Sequence, residues 1–97
     1  MAIIYKRASG RQSSSGIIWT GPCWYYGFTG LPGGANRTVI IYDNTAASGT
    51  QAEDFIMDGN KPTDGHSHAI PAYCATGLYL SITGGSVNIF FKPEKMA

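Results

Sequence analysis

Charged residues are scarce in this chain. Of its 97 residues, seven are Lys or Arg and six are Asp or Glu, which is 13%, against roughly 25% in an average soluble domain. The net charge is only +1 and the basic residues form no cluster. Proteins that bind nucleic acid mainly through phosphate contacts need a basic face, so the composition argues against that class. Low charge with 12% aromatic residues predicts a surface that partly contacts other protein.

Several sequence features of other protein classes are also absent. No apolar run approaches the roughly 18 residues of a membrane span, so no membrane insertion is predicted. The N-terminus lacks the apolar segment of a signal peptide, so we expect synthesis in the cytoplasm. The sequence contains no G-x-S-x-G motif, no P-loop and no G-x-G-x-x-G motif. The sequence also does not place any two carboxylates as a catalytic acid/base pair. We therefore expect a protein that is not an enzyme.

The residues that are abundant favour an all-β protein. Ten Ile and eight Thr suit a pleated sheet, thirteen Gly suit turns, and only three Leu are present. Pro71 predicts that its strand lies at a sheet edge. Residues 9–15 and 58–65 are predicted loops. Besides a C-terminal hairpin and a weaker candidate at 1–7, we predict strands at 16–20, 22–29, 37–43, 50–56 and 66–73.

This spacing predicts a single antiparallel β-sandwich domain over residues 1–97, with seven or eight short strands and loose ends at 1–15 and 93–97. The strand at 37–43 is apolar on both faces, which predicts a central position or cover by a partner. The clearest element is at 78–91, where two segments with apolar residues at every second position flank Gly84 and Gly85. Such a turn predicts a hairpin in which Leu80 pairs with Ile89 and Leu78 with Phe91.

The segment 64–68, Asp-Gly-His-Ser-His, carries the most specific chemistry. On an extended chain Asp64, His66 and His68 share one face. Two imidazoles and a carboxylate can bind a divalent metal, and a small metal-dependent enzyme is one function they allow. His-x-His strands of several chains can also meet on a symmetry axis. The alternative is a solvated polar loop without any cofactor.

Cys23 and Cys74 are the only cysteines. They form no C-x-x-C motif, so redox or zinc-knuckle chemistry has little support. A cytoplasmic chain keeps its thiols reduced, which favours two small buried hydrophobic side chains. A disulfide between them stays open at this point.

Five aromatic residues crowd into ten positions, namely Trp19, Trp24, Tyr25, Tyr26 and Phe28. Strand alternation cannot bury all of them on one face, so some are expected at the surface or in an interface. Exposed aromatic rings anchor subunit contacts and also stack on sugars. We favour subunit contact, because the neighbouring sequence lacks the Asp, Glu and Arg side chains that orient a sugar. A carbohydrate-binding module remains the alternative.

Three parts of the sequence together resemble small all-β virion proteins of tailed phages and prophages. They are VIIYDNTAASGT at 39–50, ATGLYLSITGG at 75–85 followed by VNIFF at 87–91, and the pair Gly21-Pro22 with GFT at 27–29. The shared features are a strand that ends in an Asp-Asn-Thr turn and a later Gly-Leu-Tyr strand. The resemblance covers residues 16–92.

The resemblance implies a jelly-roll-like sandwich that assembles as a homotrimer. It implies a place in the virion, as a capsid decoration or head-fibre protein or as a tail or adhesin component. The implied partners are copies of this chain and capsid or tail proteins. No catalytic residues are implied.

Overall fold

A computed structural model describes residues 7–31, 37–57 and 65–94, and every regular element within these ranges is a β-strand. None of the described residues belongs to a helix long and apolar enough to cross a membrane. The strands are β1 (Arg7–Gln12), β2 (Gly16–Thr20), β3 (Cys23–Leu31), β4 (Arg37–Tyr42), β5 (Gln51–Met57), β6 (Gly65–Cys74), β7 (Gly77–Thr83) and β8 (Ser86–Pro93).

The eight strands form two four-stranded antiparallel sheets with the orders β1-β8-β3-β6 and β2-β7-β4-β5. Strand β1 pairs with β8, β2 with β7, β3 with β6 and β4 with β5. The first four strands therefore run antiparallel to the last four. This long paired ribbon folds into two sheets, which is the jelly-roll arrangement. The predicted all-β, jelly-roll-like sandwich is confirmed.

The core lies between the two sheets and follows the alternation of the strands. In β7 and β8 every second residue is buried and the residues between them are partly exposed or exposed. Because one face of each strand meets the opposite sheet, the apolar positions of all central strands converge. The core consists of Cys23, Tyr25, Phe28, Val39, Ile41, Cys74, Leu78, Leu80, Ile82, Val87, Ile89 and Phe91.

The predicted pairing of the C-terminal hairpin is wrong, although its two strands and its turn lie where the sequence places them. Gly84 and Gly85 have φ angles of 76° and 61°, as the turn requires. However, β7 pairs with β2 and β4, whereas β8 pairs with β1 and β3. Leu80 and Ile89 thus enter the core from opposite sheets. Two apolar faces joined by a short turn can pack across a core as well as side by side, and alternation alone does not distinguish the two arrangements.

Other predictions for single strands have mixed outcomes. Strand β4 is central, between β7 and β5, and β6 is an edge strand, as predicted. The predicted loop at 9–15 is wrong in its first half, because β1 extends to Gln12 and pairs with β8. At the other end β8 includes Pro93, and the Glu94 N–H donates to the Pro22 carbonyl. Residues 1–6, 58–64 and 95–97 lie outside the described ranges.

The Asp43 side chain holds together the two turns at one end of the sandwich. Asp43 follows β4, and its carboxylate accepts N–H bonds from Thr76 at 2.9 Å, from Ala75 at 3.3 Å and from Gly77 at 3.4 Å. These three groups form the turn between β6 and β7, which belong to different sheets. One carboxylate therefore fixes the crossing of the chain from one sheet to the other.

We expect Asp43→Ala to destabilise the fold by about 1–3 kcal/mol, because three N–H groups lose a charged acceptor. Asp43→Asn keeps one acceptor oxygen and should lose less. Asp54→Ala, which removes an exposed carboxylate of β5, is the matched control. Urea denaturation of the four proteins measures the effect. Equal stability of Asp43→Ala and Asp54→Ala would contradict this role.

Candidate functional site

A buried carboxylate lies at one open side of the sandwich. On this side, the edge strand of one sheet is β5 and the edge strand of the other sheet is β6. Glu53 of β5 points inward with only 7% of its side chain exposed, while the next residue, Asp54, is exposed. Adjacent residues of a strand point to opposite faces, so the two carboxylates lie on different sides of the sheet. A buried charge needs hydrogen-bond partners, and Glu53 finds them in the other sheet.

Three donors of the facing sheet surround the Glu53 carboxylate. Nδ1 of His66 lies 2.9 Å from Oε2, and Nε2 of His68 lies 2.8 Å from Oε1. The hydroxyl of Tyr25, on β3, donates to Oε1 at 3.2 Å. With an ionised carboxylate each imidazole donates its N–H, so both oxygens are paired. We call Glu53, His66 and His68 the inter-sheet cluster.

The backbone next to His66 is shaped to bring β3 and β6 unusually close. Gly27 has a φ of 127°, and a Cβ at this position would collide with the carbonyl oxygen of His66. A Cβ on Gly65 would likewise collide with the carbonyl oxygen of Phe28. Only glycine tolerates both the conformation and the approach at position 27. The two glycines therefore set the position from which His66 reaches Glu53.

A large irregularity in β6 begins at His68. Tyr25 pairs with Ala72 and Gly27 with Ser67, so one residue of β3 faces residues 68–71 of β6. Bulges redirect side chains and commonly lie at sheet edges. Here His68 still points to Glu53, whereas Ile70 is 88% exposed. Pro71 lacks an N–H, which an edge strand tolerates.

Two of the three residues predicted to bind a metal lie together, and the structure brings them to a carboxylate that the sequence did not single out. His66 and His68 share one face, as expected from their spacing. Asp64 lies outside the described residues. Glu53 is the carboxylate that the described structure brings to the histidines, and their ligand atoms all lie within 4.8 Å of one another. Alternation could have placed Glu53 inward, but nothing in the sequence shows which strand faces β5.

The sandwich divides the five crowded aromatic residues between three environments. Tyr25 and Phe28 are in the core, so they offer no surface for a partner or a sugar. Trp19 is partly buried against the core, with its ring 5.7 Å from that of Phe91. Only Trp24 and Tyr26 lie toward the outside of their sheet, each partly exposed.

The outer side of the sheet β1-β8-β3-β6 carries a cluster of aromatic residues. Trp24 pairs with Tyr73 of β6, and their ring centres are 4.7 Å apart. Tyr26 and Phe90 line a shallow pocket of about 330 Å³ beside this pair. Tyr73 is 45% exposed. We call Trp24, Tyr26, Tyr73 and Phe90 the aromatic face.

Cys23 and Cys74 are free thiols buried on neighbouring strands. They pair directly in the ladder between β3 and β6. The Cys74 thiol and burial together raise the pKa of Cys23, so its thiol stays protonated. This agrees with two small core side chains, as the sequence favours.

Comparison of the chain with protein-family models, with curated proteins and with solved structures gave no match. The function therefore has to be argued from the two features described above, the inter-sheet cluster and the aromatic face.

We expect Tyr25→Phe to lower the stability at pH 8 by about 1–3 kcal/mol, because Glu53 loses a buried donor. Burial and the Glu53 carboxylate raise the pKa of Tyr25 above its ordinary value of 10.0. The wild-type phenol therefore contributes its stability fully below pH 10. Above pH 10 it loses that contribution, because only the unfolded state releases the proton.

The stability difference between wild type and Tyr25→Phe should accordingly shrink above pH 10, by up to about 1.4 kcal/mol per pH unit. Urea denaturation of both proteins between pH 8 and pH 11 measures this. A difference that stays constant over this range would contradict the assigned environment of Tyr25.

Proposed function

We propose that this protein is a non-enzymatic structural module that assembles with copies of itself as a homotrimer on the surface of a tailed-phage particle. The assignment to a virion, as a capsid decoration or head-fibre protein, rests on the resemblance of residues 16–92. The aromatic face supports self-association. The occupant that we assign to this face is a second copy of the chain.

The aromatic face supports a protein contact because it concentrates exposed apolar area on one sheet. Among the described residues, three large hydrophobic side chains are clearly exposed, and two of them, Ile70 and Tyr73, belong to β6 of this sheet. Trp24, Tyr26 and Phe90 adjoin them on β3 and β8. Aromatic residues are enriched in the centres of protein interfaces, where they bury large areas at a small entropy cost.

The charges of the chain favour association between identical copies. A net charge of +1 produces little repulsion between copies. Among the described strands, β6 pairs with β3 alone, and the free side of such an edge strand readily pairs with a strand of another chain. A second copy of the chain can cover both the aromatic side chains and the adjacent edge of β6.

We expect light scattering on a sizing column to give a mass near 31 kDa, three times the 10.4 kDa of the chain. Trp24→Ala combined with Tyr73→Ala should reduce this mass to that of a monomer, because the centre of the contact is lost. Tyr79→Ala, on the outer side of the other sheet, is the matched control and should keep the mass. The protein is measured at two concentrations, and circular dichroism checks the fold of each variant.

A wild-type protein that stays monomeric at both concentrations would contradict this function. So would a trimer whose mass is unchanged in the Trp24→Ala, Tyr73→Ala protein. Binding of the trimer to purified capsids or tails then tests the virion assignment separately.

Carbohydrate binding is the second candidate, and one contact favours it. The Tyr73 hydroxyl donates to Oε2 of Glu94 at 2.9 Å, and Lys92 pairs with Trp24 in the ladder. Polar groups therefore adjoin the exposed Tyr73 ring, as sugar hydroxyls require. A glycan array distinguishes the two functions: binding by the wild type that is lost in Tyr73→Ala supports this candidate, and no binding to any glycan excludes it.

A further inference from the structure

We propose that the inter-sheet cluster, Glu53 with His66 and His68, binds one divalent transition-metal ion within a single chain. The three ligand atoms are Nδ1 of His66, Nε2 of His68 and a carboxylate oxygen of Glu53, and all lie within 4.8 Å of one another. Two imidazoles with one carboxylate are a recurrent ligand set for Zn²⁺ and Fe²⁺. Mg²⁺ and Ca²⁺ prefer oxygen ligands only, so the cluster selects against them.

The nitrogen–oxygen distances in the cluster are close to those between two ligands of one ion. Ligands on bonds of about 2.0–2.2 Å lie roughly 3.0 Å apart at right angles and about 3.4 Å apart in a tetrahedron. The two nitrogen–oxygen distances in the cluster are 2.9 and 2.8 Å. The two contacts involve different oxygens of Glu53, so the carboxylate and the rings rearrange when they bind one ion, and that ion replaces the two N–H protons between the rings and the carboxylate.

A second layer of contacts holds the ligands in place. The buried Tyr25 hydroxyl donates to Oε1 of Glu53, and such bonds to a ligating carboxylate orient it and tune its affinity. The ring of Phe55 lies 5.8 Å from that of His66 and packs edge-on against Phe28. The cluster thus has a buried polar support on one side and an apolar wall on another, as metal sites commonly do.

Access to the cluster is from the open side of the sandwich. The side chains of His66 and His68 are 47% and 27% exposed, and Glu53 is 7% exposed. An ion can enter past the rings and contact a carboxylate that is already fixed. Three protein ligands leave at least one coordination position for water or another small ligand.

The ion would link the two sheets, because Glu53 belongs to one and both histidines to the other. An ion that binds only the folded chain raises the melting temperature. At a concentration 100 times the dissociation constant, the expected rise is about 10–20 °C for a domain of this size. All ligands come from one chain, so removal of the metal should leave the oligomeric mass unchanged.

The test uses untagged protein, because His66 and His68 are the only two histidines of the sequence. Metal-free protein is titrated with Zn²⁺ in a calorimeter, and Mg²⁺ serves as the control ion. We expect one Zn²⁺ per chain, no heat with Mg²⁺ and the stated rise in melting temperature. The absence of saturable Zn²⁺ binding by the folded wild type would overturn the proposal.

Two substitutions separate a metal site from a pair of hydrogen bonds. In His66→Asn the amide nitrogen replaces Nδ1, and in His68→Gln it replaces Nε2, so each keeps an N–H donor to Glu53 but loses the ligand. The double variant should fold and lose Zn²⁺ binding. Tyr25→Phe should weaken binding by roughly 10–100-fold. Glu53→Gln should abolish binding, whereas Glu94→Gln and the double variant Cys23→Ala, Cys74→Ala should retain it.

Nitrogen-15 NMR of the wild-type imidazoles provides a test that needs no variant. Zn²⁺ should shift Nδ1 of His66 and Nε2 of His68, and leave the other nitrogen of each ring protonated. Binding that shifts neither atom, or that persists in the double histidine variant, would overturn the site. Dissociation of an oligomer by chelator would overturn the single-chain assignment, because the metal would then join different chains. The proposal that copies of the chain associate would still stand.

Discussion

Leu80 and Ile89 lie only a few residues from the same turn, yet they reach the core from opposite sheets. Each strand has one apolar face, and the only place to bury that face is against the other sheet. The chain meets this constraint by crossing to the other sheet after each strand except β4, which pairs with β5 in the same sheet. Consecutive strands β1 and β2, and likewise β5 and β6, therefore end as the edges of different sheets. The sandwich has two open sides as a direct consequence.

Different side-chain contacts link the two sheets at these two sides. Between β1 and β2, the Trp19 ring lies against Phe91, and the guanidinium carbon of Arg7 is 5.3 Å from the centre of the Trp19 ring. Between β5 and β6, the closure is polar, through Glu53 and the two histidines. An apolar closure needs no partner chemistry. A buried carboxylate is costly unless it is paired, and here Tyr25 and the two imidazoles pair it.

The proposed contact surface and the proposed metal site lie on different parts of β6. The side chains of His66 and His68 point toward the other sheet, whereas Tyr73 belongs to the aromatic face on the outside. The irregular stretch at 68–71 begins at His68 of the cluster and ends before Tyr73. The ion and the second copy of the chain would therefore contact different side chains of β6, and both can bind at once. Association through the face and cross-linking of the sheets by a metal would both stabilise a small core.

The sequence by itself determined most of the strands and turns, although it predicted a loop over most of β1. Alternation identified β7 and β8, the apolar run identified β4 as central, and Pro71 identified β6 as an edge. The 66–68 spacing placed both histidines on one face. These are local properties, because period and turn chemistry depend on neighbours along the chain.

Only the tertiary structure decided which strands pair and which side chains meet. Leu80 and Ile89 fit a hairpin and a sandwich equally well, because both arrangements bury the same residues. Glu53 lies 13 residues before His66 in the chain, and the winding of the sheets alone brings it to the histidines. The aromatic residues at 19–28 carry no local signal for core or surface. Their division follows from the shift in register at Tyr26, which lets both Tyr25 and Phe28 point inward.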